Sequence, residues 1–183
     1  MAAIYENGKK IIGEHFIDEP RHDGKLKIEK VYLRPKAKAY PEAIKAILGA
    51  DLIVIGPGDL YTSLITNLLV DGTAKALQKT RAKIIYVLNL MTRYGQTYNF
   101  AAKDHIQVLE KYLGKNCLDF VLVNSSPIPK TALREYKREK EAPVIYHAVG
   151  CDQCRHSGYS GRTGVYELIA IDENLRTMIH DRA

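Results

Sequence analysis

The chain has 183 residues, 46% hydrophobic and 26% charged, which is enough apolar material for one ordinary globular domain with a small appendage. Its net charge of +6 fits a solvated basic surface or an anionic small ligand. The absence of an arginine-rich cluster or a stacking-aromatic pattern argues against nucleic acid. Three cysteines are an odd count that argues against a secreted disulfide framework. With no signal-peptide pattern at the start and no apolar run of bilayer-spanning length, the expectation is a cytoplasmic protein without membrane insertion.

In chain order, residues 4–6 and 10–13 flank Asn7-Gly8 and predict a hairpin. Residues 18–25 are polar, contain Pro20 and Gly24, and read as a loop. Residues 28–33 alternate and end before Pro35, as a strand does. Pro41 suits the first turn of a helix that runs to about Leu48. The continuous apolar run at 52–55 predicts a strand buried on both faces of a parallel sheet. Helices are expected over 60–70 and 73–79, a strand over 84–88, and an amphipathic helix over 101–113 with Ile106, Leu109 and Leu113 on one face. A strand at 120–123, a helix at 131–140 and a strand at 144–146 complete the series. Alternating strands and helices imply an α/β layer fold with a mainly parallel sheet and helices on both faces.

Ligands bind such sheets at the carboxyl ends of the strands. The first loop at that edge reads Gly56-Pro57-Gly58-Asp59-Leu60-Tyr61-Thr62-Ser63. Its glycines let the backbone approach a ligand, and the helix that follows offers free N–H groups and a positive dipole end. Thr62 and Ser63 add hydroxyls, so the segment describes a phosphate or sugar-phosphate cradle. It equally describes a tight strand-to-helix turn with Asp59 as N-cap. The loop after the next strand carries Asn89, Thr92, Gly95 and Thr97, polar or small residues suited to reading hydroxyls or a base edge, or to capping turns. Asn124 follows a third strand on the same rim. Asp104 and His105 are adjacent on a helix and so point in different directions.

These segments carry a resemblance. The runs ADLIVIGPGDLYTSLITNLLV (50–70), IIYVLNLMT (84–92), GQT (95–97), DH (104–105) and VLVN (121–124) resemble the YvcK family of gluconeogenesis factors, itself similar to the transferase CofD. The likeness extends over about residues 4–147. It implies a Rossmann-like fold, binding of a phosphate-bearing nucleotide-sugar of the UDP-sugar kind, no required cofactor, and a regulatory role in carbon metabolism and cell shape. The family opens with a glycine-rich GGGTG-type loop that has no counterpart in this chain, so the expectation is a partial domain over 1–147 that lacks one wall of the site.

The last stretch has a different texture. Cys151-Asp152-Gln153-Cys154 has the spacing of half a zinc site, but zinc needs four ligands. A complete site within one chain lacks a second pair, so Cys151 and Cys154 stand as an incomplete or intermolecular zinc site or as a reduced pair in a loop. Residues 150–179 resemble the C-terminal tail of secretion and pilus-assembly ATPases of the GspE/PilB type. That resemblance implies a tail domain over 148–183 and a secretion-system partner. No Walker A loop is present to hydrolyse ATP. The leading expectation is a nucleotide-sugar-binding regulatory protein that self-associates. The alternatives are a CofD-like phospholactyl transferase, a secretion-associated fragment, and an artificial junction near His147.

Overall fold

The computed structural model describes residues 1–124, with Lys130, Thr131, Leu133 and Arg134 beyond them. Most of the expected helix at 131–140, the strand at 144–146 and the tail at 148–183 with Cys151 and Cys154 lie outside the described residues.

Strands β1 (Ala2–Tyr5) and β2 (Lys10–Ile12) pair antiparallel, with Ala3 opposite Ile11. The Asn7-Gly8 turn between them is held by Asn7 Oδ1, which accepts from the Lys9 N–H at 3.0 Å. Strand β3 (Ile28–Tyr32) pairs antiparallel with the other side of β1, giving the order β2-β1-β3. The polar segment between β2 and β3 holds a short helix, α1 (Glu14–Asp18), within the stretch the sequence leaves without structure. Only Ile17 of α1 is buried, and a single apolar anchor leaves no helical period to read.

The second sheet is parallel. Helix α2 (Pro41–Gly49) starts on its proline and leads into β4 (Leu52–Ile55). Strand β5 (Lys83–Val87) pairs with β4, and β6 (Phe120–Leu122) pairs with β5, in the order β4-β5-β6. Between β4 and β5 the chain makes a π-helical turn (Leu60–Ile65), then α3 (Thr66–Leu68) and α4 (Thr73–Lys79). Helix α5 (Ala102–Leu113) joins β5 to β6. The first three strands therefore form a sheet of their own, where alternation alone suggested one mainly parallel sheet.

Strand β4 differs from expectation in its burial. Leu52 and Val54 are 54% and 55% exposed, so the strand is not covered on both faces. A continuous apolar run does not distinguish a central strand from an edge strand with one bare face, and among the described residues β4 pairs only with β5. The other face is well packed. Ile84 and Tyr86 lie in one core with Tyr61, Ile65, Leu109 and Leu113, and Tyr5 and Val31 of the first sheet join the same core. Two hydrogen bonds cross between the layers. Tyr61 Oη donates to the Ile28 carbonyl at 3.3 Å, and the Val31 N–H donates to Tyr112 Oη at 3.0 Å. No helix among the described residues is long and apolar enough to cross a membrane.

Candidate functional site

Because β4, β5 and β6 are parallel, the loops that leave them open on one edge. Gly56 to Ser63 follow β4, Asn89 to Thr97 follow β5, and Asn124 lies just past β6. Gly56 has φ +87, and a Cβ there would meet the Val87 carbonyl oxygen at 2.7 Å. The close approach of the two chains thus requires glycine. The Gly58 N–H then donates to Asn89 Oδ1 at 3.2 Å, so one loop orders the other.

The turn into the helix is not a standard cap. Asp59 stands at the N-cap position but makes no side-chain cap bond. Its carbonyl accepts instead from both the Ser63 and Leu64 N–H groups at 3.0 Å. The longer of these reaches gives the turn its π character, and Thr66 Oγ1 donates to the Tyr61 carbonyl at 3.0 Å within it. Such wide turns are frequent at functional sites. The widened turn drives Tyr61 and Thr62 inward and leaves Ser63 exposed.

With its side chain free of the cap, Asp59 lies beside Asp18 of α1. Burial, first, and the neighbouring Asp18 charge push the Asp59 carboxyl above its ordinary value, and Arg93 partly opposes them. Asp18 also accepts from Gln96 Nε2 at 2.9 Å and pairs with Arg93 Nη2 at 3.3 Å. Gln96 in turn donates to Thr62 Oγ1 at 3.1 Å. A single polar network therefore links α1, the π-helical turn and the loop after β5. Gln96 and Thr62 are nearly inaccessible within it, and buried polar groups of this kind are costly when unpaired.

The sequence-predicted residues divide into a rim and its supports. Pro57 and Ser63 are exposed, and Gly58, Asp59 and Asn89 are half-buried beside them. Tyr61, Thr62, Thr92 and Thr97 are buried. Tyr61 is a core residue, and Thr97 Oγ1 accepts from the Arg93 N–H at 2.8 Å, which closes the loop on itself. Gly95 has φ +91 and packs so close to Pro20 that a Cβ would meet it at 2.5 Å. Asn124 is half-buried at the same edge. Asp104 caps α5, accepting from the Ala101 N–H at 2.8 Å. His105 is buried with Nδ1 3.1 Å from the Ala101 carbonyl, so this pair serves the helix start.

Sequence reasoning missed Asp18, Arg93 and Gln96. Gln96 lies inside the quoted GQT run, but Asp18 is brought in by α1, which carries no periodic signal. Among the described residues no group of three or more His, Cys, Asp or Glu side chains could hold a metal ion. Cavities open elsewhere. The larger, about 560 Å³, lies at the amino ends of β5 and β6 beside Arg81, Lys83 and Asp119, opposite the loop edge.

The comparisons agree with this architecture. The family model described as 2-phospho-L-lactate transferase CofD matches residues 1–161. The chain is 42% identical over 141 residues to a gluconeogenesis factor of Halalkalibacterium halodurans, covering 76% of this chain and 42% of the relative. It is 40% identical over 147 residues to the Bacillus subtilis gluconeogenesis factor, covering 80% of this chain and 45% of the relative. A crystal structure of a UPF0052-family protein from Bacillus halodurans superposes with a TM-score of 0.74 at 39% identity, over 80% of this chain and 46% of that one. The chain thus spans a little under half the length of the curated relatives it matches. Since the family model covers most of its length, this chain belongs to the CofD family, among its gluconeogenesis-factor members.

Proposed function

We propose that the loops at the carboxyl ends of β4 and β5 bind a phosphate-bearing nucleotide-sugar of the UDP-sugar kind, and that the chain acts through binding in a regulatory role. The observation that carries this reading is the hydrogen bond between the Gly58 N–H and Asn89 Oδ1 at 3.2 Å. It fixes a glycine backbone and a short polar side chain side by side, at the sheet edge where α/β folds take ligands.

Asp59 would by itself repel a phosphate. Burial and the Asp18 charge beside it raise the Asp59 pKa, and Arg93 pairs with Asp18 and offsets part of the charge. The local balance therefore tolerates an anion. The same carboxyl pair can accept hydrogen bonds from ribose or sugar hydroxyls, while the Ser63 hydroxyl and the Asn89 Nδ2 group face the phosphates. A second reading, transfer of a phosphorylated group, draws on the description of the family model. A deazaflavin acceptor assay separates it from binding alone.

The test is calorimetric titration of the folded chain with UDP-N-acetylglucosamine, beside Asn89→Ala. Saturable one-to-one binding that the variant weakens supports the reading. A folded chain that releases or takes up no heat at millimolar ligand overturns it.

A further inference from the structure

Helix α1 divides two environments. Asp18 reaches the loop network described above, while Phe16 leaves the helix roughly 200° away and lines a separate cavity of about 270 Å³. Lys9, Lys10, Ile12, Arg21 and His22 line the same cavity, and no carboxylate does. The apolar part is substantial. Phe16 and Ile12 are among the most exposed large hydrophobic residues of the chain. The Arg21 guanidinium stands 5.7 Å from the centre of the Phe16 ring.

Beside the cavity two enclosed polar atoms have no hydrogen-bond partner. They are Nε2 of His22, whose ring lines the cavity, and Tyr5 Oη, which does not belong to its lining. Their rings meet edge to face, with centroids 4.5 Å apart. Burial, aided by the Lys9 charge and opposed by Asp23, lowers the His22 pKa. Burial pushes the Tyr5 phenol up to about 12, which keeps it a donor. A buried polar atom without a partner costs free energy. Three cations around an apolar wall suit an anionic group on an apolar body.

We propose that this cavity is a second ligand site, separate from the β4 and β5 loops, for a small anion carried on an aromatic or short aliphatic body. The anionic group, a phosphate or carboxylate, pairs with Lys9 and Arg21 and lies beside the His22 ring. The apolar body lies against Phe16 and Ile12. The volume is slightly below the roughly 300–1,000 Å³ of pockets for drug-sized ligands, so a whole nucleotide-sugar does not fit.

The test uses phenyl phosphate and inorganic phosphate as probes, followed by NMR of the histidine side chains and by calorimetry. Phenyl phosphate is expected to bind saturably, to shift the His22 ring resonances, and to bind more tightly than inorganic phosphate. In the double variant Lys9→Gln/Arg21→Gln, affinity should fall about tenfold or more, the loss expected for two charge-assisted contacts. Both residues are exposed, and an unchanged melting temperature would show that the variant folds. The wild-type His22 shift reads the site even without the variant. No saturable binding, binding that leaves His22 unmoved, or equal affinity in the folded double variant would each overturn the proposal. Equal affinity for the two probes would overturn the role of the apolar wall.

Discussion

Asn89 Oδ1 accepts a hydrogen bond from the Gly58 N–H at 3.2 Å, across the gap between the loops that follow β4 and β5. Replacing Asn89 with alanine removes the acceptor and leaves the Gly58 N–H half-buried without it. The affinity of the chain for UDP-N-acetylglucosamine should fall about tenfold, equivalent to about 1.4 kcal/mol. The melting temperature should fall only slightly, because the contact lies at the rim. Paired calorimetry and thermal melts check both expectations.

Gly56 is the backbone condition for that contact. A side chain at φ +87, with its Cβ 2.7 Å from the Val87 carbonyl oxygen, must push β4 and β5 apart. Gly56→Ala should destabilise the fold by about 2 kcal/mol, read by urea denaturation. Gly49 offers the control. Nothing lies within 4 Å of a Cβ there, and Gly49→Ala should keep stability or raise it by up to about 1 kcal/mol.

Gln96 bridges Asp18 and Thr62 from a buried position, with contacts of 2.9 Å and 3.1 Å. Gln96→Leu keeps the volume and removes both bonds, leaving Asp18 with one partner fewer. The expected cost is about 2 kcal/mol. Hydrogen exchange should quicken in α1 and the π-helical turn while β5 keeps its protection.

Buried His105 and half-buried Asp59 set opposite responses to pH. His105 has its pKa lowered by burial from 6.5. Its folded state resists protonation, so stability is present above pH 6.5 and is lost as pH falls through the depressed value. His22 is lowered as well and contributes in the same window. His105→Leu should remove part of this acid lability. Asp59 behaves in the other direction, because its pKa is raised from 3.8. The folded state holds that proton more tightly than the unfolded chain, and the resulting stability is lost as pH rises through the raised value. Asp59→Asn should flatten this loss. Melting curves of both variants across pH 3 to 8 on the order of one unit apart check the two slopes.

Strong local patterns made much of the fold legible. Asn7-Gly8 marks the hairpin, Pro41 the start of α2, and the apolar runs mark β4 and β5. Division of the strands into two sheets was not legible, because pairing of β3 with β1 depends on long-range contacts such as Tyr61 to Ile28. The bare face of β4 was hidden for a related reason, since Leu52 and Ile53 are equally apolar whichever side is packed. At the site, strand-end position pointed to Gly58 and Asn89. It also gathered Tyr61 and Thr97, whose polar groups are spent within the protein. Asp18 was invisible, because a five-residue helix with one buried side chain has no period.

The most direct measurement is the amide NMR spectrum of the chain titrated with UDP-N-acetylglucosamine. Shifts that saturate together at Gly58, Ser63 and the side-chain amides of Asn89 and Gln96 are the predicted result. Shifts confined to the opposite edge, around Arg81 and Lys83, or no shifts from a folded chain, would contradict a ligand site on the loops after β4 and β5.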